Sequence, residues 1–420
     1  MGFLKSNIRQ IKKGGWAVFF DKGKKAPKRI VLFTFDLIAT PFSIPIVLLI
    51  RLIKPIKHIR FGYFYGGRIG HFIPDTVIAA IDDNKLNKFV DLYYFLPSEK
   101  NIQWAKMVKK ELNVYYWVRL LYFSNKLLPG GNSHVIIPSI HRPNGSQGSL
   151  RQGLFYNSDF KFSFNDDDNK VAKLWLKNNG WSEGEKIICL MVRDDAYLPT
   201  KNWQYHSYRN CDISSFEPAL ELLAEMGYFI IRMGKNMKIP LKLNNNRIID
   251  YAFKKEKSDL LDVWLFANCE LCITTGTGPD LISLFYKRPV LAINYLPLAH
   301  LFSWAEALHA PKKLYWKETG MALSWEEHLE HPYVHSKDYE DAGINILDLS
   351  SEEIIDIVKE MINRINNSFF DEDDKRVQNK FWKIAKQSNN FKIKNNFIHP
   401  SSRISMAYVR NNSEWLSLRK

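Results

Sequence analysis

Glu270-Leu-Cys-Ile-Thr-Thr-Gly-Thr-Gly-Pro-Asp280 is the stretch on which the reading of the fold turns. Residues 270–274 read as a short apolar strand, and the Thr-Gly-Thr-Gly turn comes at once after it. Pro279 suits the first turn of a helix, which the spacing carries to Tyr286. Residues 260–267 form a helix before this unit and 290–294 a strand after it. Upstream, Ile187-Ile-Cys-Leu-Met-Val192 is a continuous apolar run, as strands buried on both faces require. A helix over 216–226 stopped by Gly227, and strands over 228–232 and 247–250, complete the alternation. Alternation of this kind predicts a parallel, doubly wound sheet.

The first half shows a looser version of the same pattern. Residues 59–65 read as a strand, succeeded by Gly66-Gly67-Arg68-Ile69-Gly70-His71 and a helix over 74–81. A strand over 91–96, a helix over 101–112 and a short strand over 135–137 come next. Residues 138–168 are rich in Asn, Ser, Gly and Asp and lead into the expected hinge. Ser350 and Glu353 have the spacing of a capping box for a helix to about residue 365. The predicted architecture is α/β, with two Rossmann-like doubly wound domains facing a cleft. The first spans 59–170 and the second 171–365; a leader covers 1–58, and an extension over 366–420 packs back on the N-terminal domain.

Composition sets the class. With 420 residues, 46% hydrophobic and 25% charged, the chain has the make-up of a globular protein of two or three domains. A mean hydropathy of −0.27 argues against a polytopic membrane protein. Four cysteines cannot form a disulfide scaffold, which makes a reducing compartment the default. The net charge of +15 is concentrated at one end. Residues 1–60 hold 13 Lys or Arg against Asp21 and Asp36, a net +11, which leaves +4 for the other 360 residues. A nucleic-acid enzyme would carry its basic stripe on the folded body, so no nucleic-acid partner is expected.

The basic leader brackets the most apolar segment, residues 30–50. Asp36 interrupts it and leaves 14 uncharged residues from Leu37 to Ile50, short of the roughly 20 that a spanning helix needs. Pro41 and Pro45 are expected to bend or break a helix there. Lys24, Lys25, Lys28 and Arg29 precede the segment, and Arg51, Lys54, Lys57 and Arg60 come after it. Both flanks therefore favour the cytoplasmic face and anionic lipid. A bent hairpin dipping into one leaflet meets these conditions; a true span and a buried core hairpin compete with it.

Ligands of open α/β sheets bind beyond the carboxyl ends of the strands. Polar residues cluster there: Arg193, Asp194 and Asp195 after the 187–192 run, Arg232 and Gly234 after the next strand, and Thr275, Gly276, Thr277 and Gly278 in the turn. The turn matches neither a Walker loop nor the dinucleotide Gly-x-Gly-x-x-Gly fingerprint. Its amides, at a helix start, are expected to cradle an anion; a tight turn without a ligand is the competing reading. Arg193 directly after a buried strand needs an anion or a carboxylate to match it, with Asp194 or Asp195 as the internal alternative. Arg209, Asn210 and Arg232 are candidates for a second diphosphate contact. In the first half, Gly67, Arg68 and Gly70 are candidate substrate contacts. His71, Asp75 and Asp195 are candidate catalytic bases. No histidine or cysteine spacing points to a metal, and Cys269-x-x-Cys272 has no second pair.

The chain resembles a bacterial glycosyltransferase family associated with surface-polysaccharide (capsule and O-antigen) gene clusters. Arg68-Ile69-Gly70-His71, Val192-Arg193-Asp194-x-Ala196-Tyr197, Tyr208-Arg209-Asn210-x-Asp212-Ile213, Ile231-Arg232-Met233-Gly234 and the segment Asp262–Pro289 carry the resemblance, over roughly residues 60–365. It implies a GT-B enzyme in which the C-terminal domain holds a nucleotide sugar and no metal or other cofactor is required. Residues 192–195 are also similar to the His-x-Arg-x-x-Asp element of GT-B fucosyltransferases, where the arginine meets the donor diphosphate. Here Met191 stands at the histidine position and Ala196 at the aspartate position. The expected function is hexosyl or deoxyhexosyl transfer to a glycan or polyprenyl-linked acceptor, at the cytoplasmic face of the bacterial inner membrane. A nucleotide-sugar epimerase on the same fold and a non-catalytic polysaccharide-assembly partner are the alternatives.

Overall fold

The structure, a computed structural model, describes residues 34–83, 89–96, 101–136, 153–196, 203–367, 372–393, 395 and 397–416. The basic residues before position 34 lie outside the described residues. In the first half, strands β1 (His58–Phe64) and β2 (Phe89–Phe95) pair in parallel, with Phe61 opposite Leu92. Single parallel bridges, Tyr93 to Val114 and Phe61 to Val135, widen the sheet on both sides. The array therefore runs 114, β2, β1, 135, a doubly wound order in miniature.

Period-2 alternation splits this sheet between two cores. Ile59, Phe61, Tyr63, Leu92 and Tyr94 face one side, while Phe64, Tyr93 and Phe95 face the other. Helices α2 (Ile69–Asp83) and α3 (Ile102–Glu111) cover the second side. The first side is covered by α4 (Val118–Leu127) and by a long helix from the leader, α1 (Thr34–Leu52).

Helix α1 corrects two expectations. Among the described residues the leader shows no hairpin: one 19-residue helix, Thr34–Leu52, runs through both prolines. Pro41 and Pro45 lie on its exposed side, where no neighbour crowds their rings, and the Thr40 and Ser43 hydroxyls donate back to carbonyls one turn earlier. Nor is residue 58 a domain boundary, because α1 is a layer of the first half. Val47 is fully buried against Phe61, Val118 and Leu121. Asp36 pairs with Arg119 at 2.5 Å, Ser43 meets Ser124 at 2.6 Å, and the Arg51 guanidinium donates to Asn125 Oδ1. These positions recur every three or four residues and form one helical stripe.

The second half contains the larger sheet. Helix α5 (Asp166–Asn178), with a capping box from Asn165 and Asp168, leads into β3 (Ile187–Met191). Then come α6 (Glu217–Glu225), β4 (Phe229–Arg232), β5 (Ile248–Ile249), α7 (Asp259–Asn268), β6 (Leu271–Thr274), α8 (Asp280–Phe285), β7 (Val290–Tyr295) and β8 (Ala307–Pro311). The spatial order is β5-β4-β3-β6-β7-β8, all parallel, with a late strand added beyond β8. Numbered within the domain this is 3-2-1-4-5-6, the order of the dinucleotide-binding folds. The fold class is therefore mixed α/β with Rossmann-like parallel sheets. Strands β3, β6 and β7 are almost wholly buried, as their unbroken apolar runs require.

A two-stranded ribbon, β9 (Lys313–Trp316) and β10 (Ile344–Leu347), flanks the short helices α9 (Trp325–Glu330) and α10 (Ser336–Asp341). Helix α11 (Ser351–Asn367) opens on the expected capping box, with the Glu353 amide donating to Ser350 and the Ser350 amide to Glu353. The C-terminal extension docks mainly on the second half instead of the first. Its strand β11 (Arg403–Ile404) pairs with β8, whose outer edge otherwise ends the sheet. In α12 (Glu372–Gln387), Phe381 stacks on Trp325 and Gln378 exchanges two hydrogen bonds with Ile404. Phe397 and His399 do reach Tyr156, in the segment before α5.

Because α1 closes the first core, removing residues 1–52 should expose Phe61, Val118 and Leu121 and destabilise the first half. The single change Asp36→Ala, which leaves Arg119 without its carboxylate, is expected to cost about 3 kcal/mol. Urea unfolding monitored by circular dichroism measures it, and an unchanged midpoint would remove the structural role of α1.

Candidate active site

In a 3-2-1-4-5-6 sheet the crossovers change direction between the first and fourth strands, and ligands bind beyond their carboxyl ends. Here those strands are β3 and β6. Val192-Arg193 leaves the end of β3 and Thr275-Gly-Thr-Gly278 the end of β6. The two segments are bonded, with the Arg193 amide donating to Thr275 Oγ1 at 3.0 Å. The Arg193 Nε donates to Asn210 Oδ1 at 3.2 Å, and the Cys211 amide donates to the Arg193 carbonyl. The Arg209 guanidinium donates to the Gly276 carbonyl. Two arginines thus converge on one turn.

Neither cation has a carboxylate in contact, although Arg193 feels Asp194 and Arg209 feels Asp280 at longer range. Among the described residues, neither Arg193 nor Arg209 has a carboxylate within 4 Å. Asp194 accepts from the Ala196 and Lys238 amides instead, the latter at 2.6 Å. Burial, and then the nearby Arg209, push the Arg193 guanidinium down to about 10. A third arginine arrives from the other half: Arg68, at the start of α2, hydrogen-bonds Tyr205, whose phenol also feels Arg193. His206 is pushed down to about 4 by burial and by Arg209 and Arg193, and its ring lies parallel to that of His335. His71, in the first turn of α2, is lowered by burial and by Arg68, so it is neutral near pH 7. The result is a cluster of positive charge, part-buried and ringed by neutral acceptors. Such a cluster calls for a polyanion.

The two halves touch here through glycine. A Cβ on Gly278 would lie 2.9 Å from the Gly70 amide nitrogen, and one on Gly70 would lie 3.1 Å from Gly278 Cα. The 66–71 loop and the Thr-Gly turn therefore meet backbone to backbone. Further along the interface, the Ile102 amide donates to Asp259 Oδ2 at 2.7 Å, joining α3 to α7.

Several expected roles change. Three of the four amides expected to form a cradle, those of Thr275, Gly276 and Thr277, are already engaged within the protein. Thr275 N–H donates to the Met191 carbonyl, Gly276 N–H to Thr274 Oγ1, and Thr277 N–H to Asp280 Oδ2 at 2.6 Å. Asp280 is fully buried and also accepts from the Thr274 hydroxyl, so an internal carboxylate stands where an external anion was expected. Burial raises Asp280 to about 6 despite those hydrogen bonds. Gly276, at φ +80°, lies against the Tyr295 ring, where a Cβ would come within 2.6 Å. Arg232 is almost fully buried and paired with Asp250 at 2.9 Å, with a further bond to the Ile239 carbonyl. It is a structural ion pair. Gly234 packs on Met237 and Ala252, and Gly67 packs on Tyr65. Asp195 is exposed and pairs with Lys238 at 3.5 Å. Asp75 is buried one turn beyond His71 on α2, beside Tyr63.

Other members of the site were not singled out in the sequence. Tyr205 and His206 lie in the 3-10 segment Trp203–Arg209, and their signal was the aromatic and basic run leading into Arg209. Lys312, directly after the buried strand β8, donates to the Asn210 carbonyl at 2.6 Å and pairs with Asp348. It carries the same signal as Arg193, a cation at the end of an apolar strand. Among the described residues, no group of His, Cys, Asp and Glu side chains is arranged to hold a metal ion.

No protein-family model matches the chain, and no curated protein matches it in sequence. Among solved structures it is similar to a glycosyltransferase family 9 protein from Veillonella parvula DSM 2008, at 12% identity over 61% of this chain and 86% of that one, with a TM-score of 0.39. It is also similar to the E. coli ADP-heptose LPS heptosyltransferase II, at 11% identity over 57% and 85%, TM-score 0.33. A third likeness is to the UDP-GlcNAc 2-epimerase from Methanocaldococcus jannaschii, at 11% identity over 60% and 89%, TM-score 0.26. Likenesses at these scores carry no argument; the strand order and the charges at the switch point do.

Proposed function

We propose that the chain is a glycosyltransferase that takes a sugar from a nucleoside-diphosphate donor at the β3/β6 switch point. One observation carries the reading: Arg193 and Arg209 converge on that point without a matching carboxylate within 4 Å. Arg68 reaches the same place from the other half, through Tyr205. A donor diphosphate supplies the missing charge and suits planar, two-pronged guanidinium contacts. The reading extends to a hexosyl or deoxyhexosyl donor, a glycan or polyprenyl-linked acceptor in surface-polysaccharide synthesis, and catalysis without a metal or other cofactor. The resemblance of the loops at 68–71, 192–197 and 208–213 supports these finer assignments.

The chemistry is set by the charges. The acceptor hydroxyl oxygen bonds to the anomeric carbon as the bond from that carbon to the diphosphate oxygen breaks. The electron pair leaves on the diphosphate, where Arg193 and Arg209 stabilise the charge as it develops. His71 takes the hydroxyl proton. It suits that role because burial and Arg68 keep it neutral, and because it starts the helix whose Gly70 touches the donor turn. Asn210 and Lys312 are positioning residues, the first holding Arg193 and the second holding the Asn210 carbonyl.

Calorimetry with a panel of nucleotide sugars tests the donor site. In Arg193→Ala the affinity for the bound donor should fall roughly 10- to 150-fold, from the loss of about 1.5–3 kcal/mol in a charge-assisted contact. Arg193→Lys should be nearly as poor, since an ammonium lacks the fork. Wild-type affinity in either folded variant would refute the assignment. Sugar release that needs an acceptor separates transfer from epimerisation of the donor.

The pH profile tests the base. His71 has a lowered pKa, so it is deprotonated at pH 6.5 and above, and turnover should be lost only as the pH falls below that value. Removing Arg68 takes away one of the two causes. In Arg68→Ala the acid limb should therefore move up toward 6.5, although burial still holds it below. A limb unmoved by Arg68→Ala, or unchanged in His71→Gln, would exclude His71 as the base.

A further inference from the structure

We infer that α1 lies flat in the surface of an anionic bilayer, its apolar face among the acyl chains and its axis along the membrane plane. The surface is separate from the switch point and does not depend on the donor assignment.

Helix α1 has two faces of opposite commitment. Asp36, Thr40, Ser43, Val47 and Arg51 face the body of the protein. On the other side Phe35, Ile38, Phe42, Ile46 and Leu49 recur at helical spacing, all more than half exposed, with Phe42 at 79%. Leu37, Leu48 and Leu52 widen this face, and Pro41 and Pro45 lie on it too. It carries no charged side chain, and so continuous an apolar face marks an interaction surface.

By length and composition α1 is the one helix among the described residues that could cross a membrane. Its attachments say that it lies on the membrane instead. Asp36–Arg119, Ser43–Ser124 and Arg51–Asn125 tie it to α4 over 15 residues, about 22 Å of helix. The three contacts advance in the same direction along both helices, and Val47 is part of the sheet's core. A crossing α1 would drag α4 and the edge of the sheet into hydrocarbon, where each unmatched polar group costs several kcal/mol. Lying flat, the helix immerses only its outer face.

The occupant is identified by charge. Exposed Lys54 and Lys57 come directly after α1, while Lys24, Lys25, Lys28 and Arg29 precede it in sequence. Basic residues beside an apolar helix face are the pattern of amphipathic helices at anionic lipid surfaces, worth about 1 kcal/mol for each cation near the surface. Beside the N-terminal end of α1, Tyr116 and Trp117 are half-exposed or more and precede Arg119, the partner of Asp36. Such amphipathic rings settle at the headgroup level.

Flotation of the full chain with vesicles tests this. The protein should float with phosphatidylcholine vesicles containing phosphatidylglycerol, and less with phosphatidylcholine alone. Phe42→Glu/Leu49→Glu, on the outer face, should lower the bound fraction at least about tenfold while circular dichroism and the thermal midpoint stay unchanged. Lys54→Glu/Lys57→Glu should weaken binding to the anionic vesicles only. Depth separates lying from crossing. The four native cysteines are buried, so a fluorophore on Ile38→Cys, Phe42→Cys or Leu49→Cys reports its own position. A flat helix gives equal quenching at all three by shallow lipid-borne quenchers. A crossing helix grades the three over about 16 Å, and that result would overturn the proposal. So would failure of the wild type to float, equal flotation of Phe42→Glu/Leu49→Glu, or a dimer in lipid-free buffer that this variant dissolves while vesicles are ignored.

Discussion

The buried carboxylate of Asp280 is the constraint on which the site depends. It accepts from the Thr274 hydroxyl at the end of β6 and from the Thr277 amide, closing the Thr-Gly turn over its own side chain. With those bonds made, the Gly276 carbonyl is held toward Arg209, and Gly278 is set against Gly70 of the other half. A charge in that position is expensive, as its elevated pKa of about 6 records. The hydrogen bonds and the facing Arg209 offset part of the cost. The turn is therefore closed on its own carboxylate, and the groups left to meet a ligand are the side chains around it.

The remaining electrostatics continue from that closed turn. Arg193 and Arg209 face the same turn, share no carboxylate within 4 Å among the described residues, and repel each other. Their field reaches His206, which cannot hold a proton beside them at neutral pH. Arg232 shows what the fold does when it wants an arginine only for structure: Asp250 is supplied at 2.9 Å, and the guanidinium is sealed from solvent. The two arginines at the ends of adjacent strands thus differ in partner: Arg232 has a carboxylate at 2.9 Å, and Arg193 has the Asn210 amide oxygen at 3.2 Å.

Helix α1 connects this site to its surroundings through the first half. Its inner stripe completes the core that supports β1 and β2, and α2 with His71 lies on the opposite face of the same sheet. Removing the helix for solubility would remove a layer of the domain, so the apolar outer face comes with the fold. A single sheet therefore supports the surface-facing helix on one side and the candidate base on the other.

Much of the second half was legible because its chemistry is local. The run Ile187–Val192 has no polar face and can only be a buried strand, and Arg193 directly after it must answer for its charge nearby. The strand–turn–helix of 270–286 and the Ser350/Glu353 cap are likewise written in adjacent residues. Part of what was misjudged was local too. Asp280 stands three residues after the amide it caps, and the polar stripe 36, 40, 43, 51 already had a helical period despite two prolines. What only the tertiary structure decided were partnerships between distant segments. Arg193 and Arg232 send the same signal in sequence, and it is Asp250, brought alongside through β5, that assigns them opposite roles. The union of Arg68 with Tyr205, and of Gly70 with Gly278, depends on how two separately folded sheets are placed. Periodicity and residue chemistry determine which groups must be buried or paired; which partner each one finds is settled by packing, because contact distance does not track sequence distance.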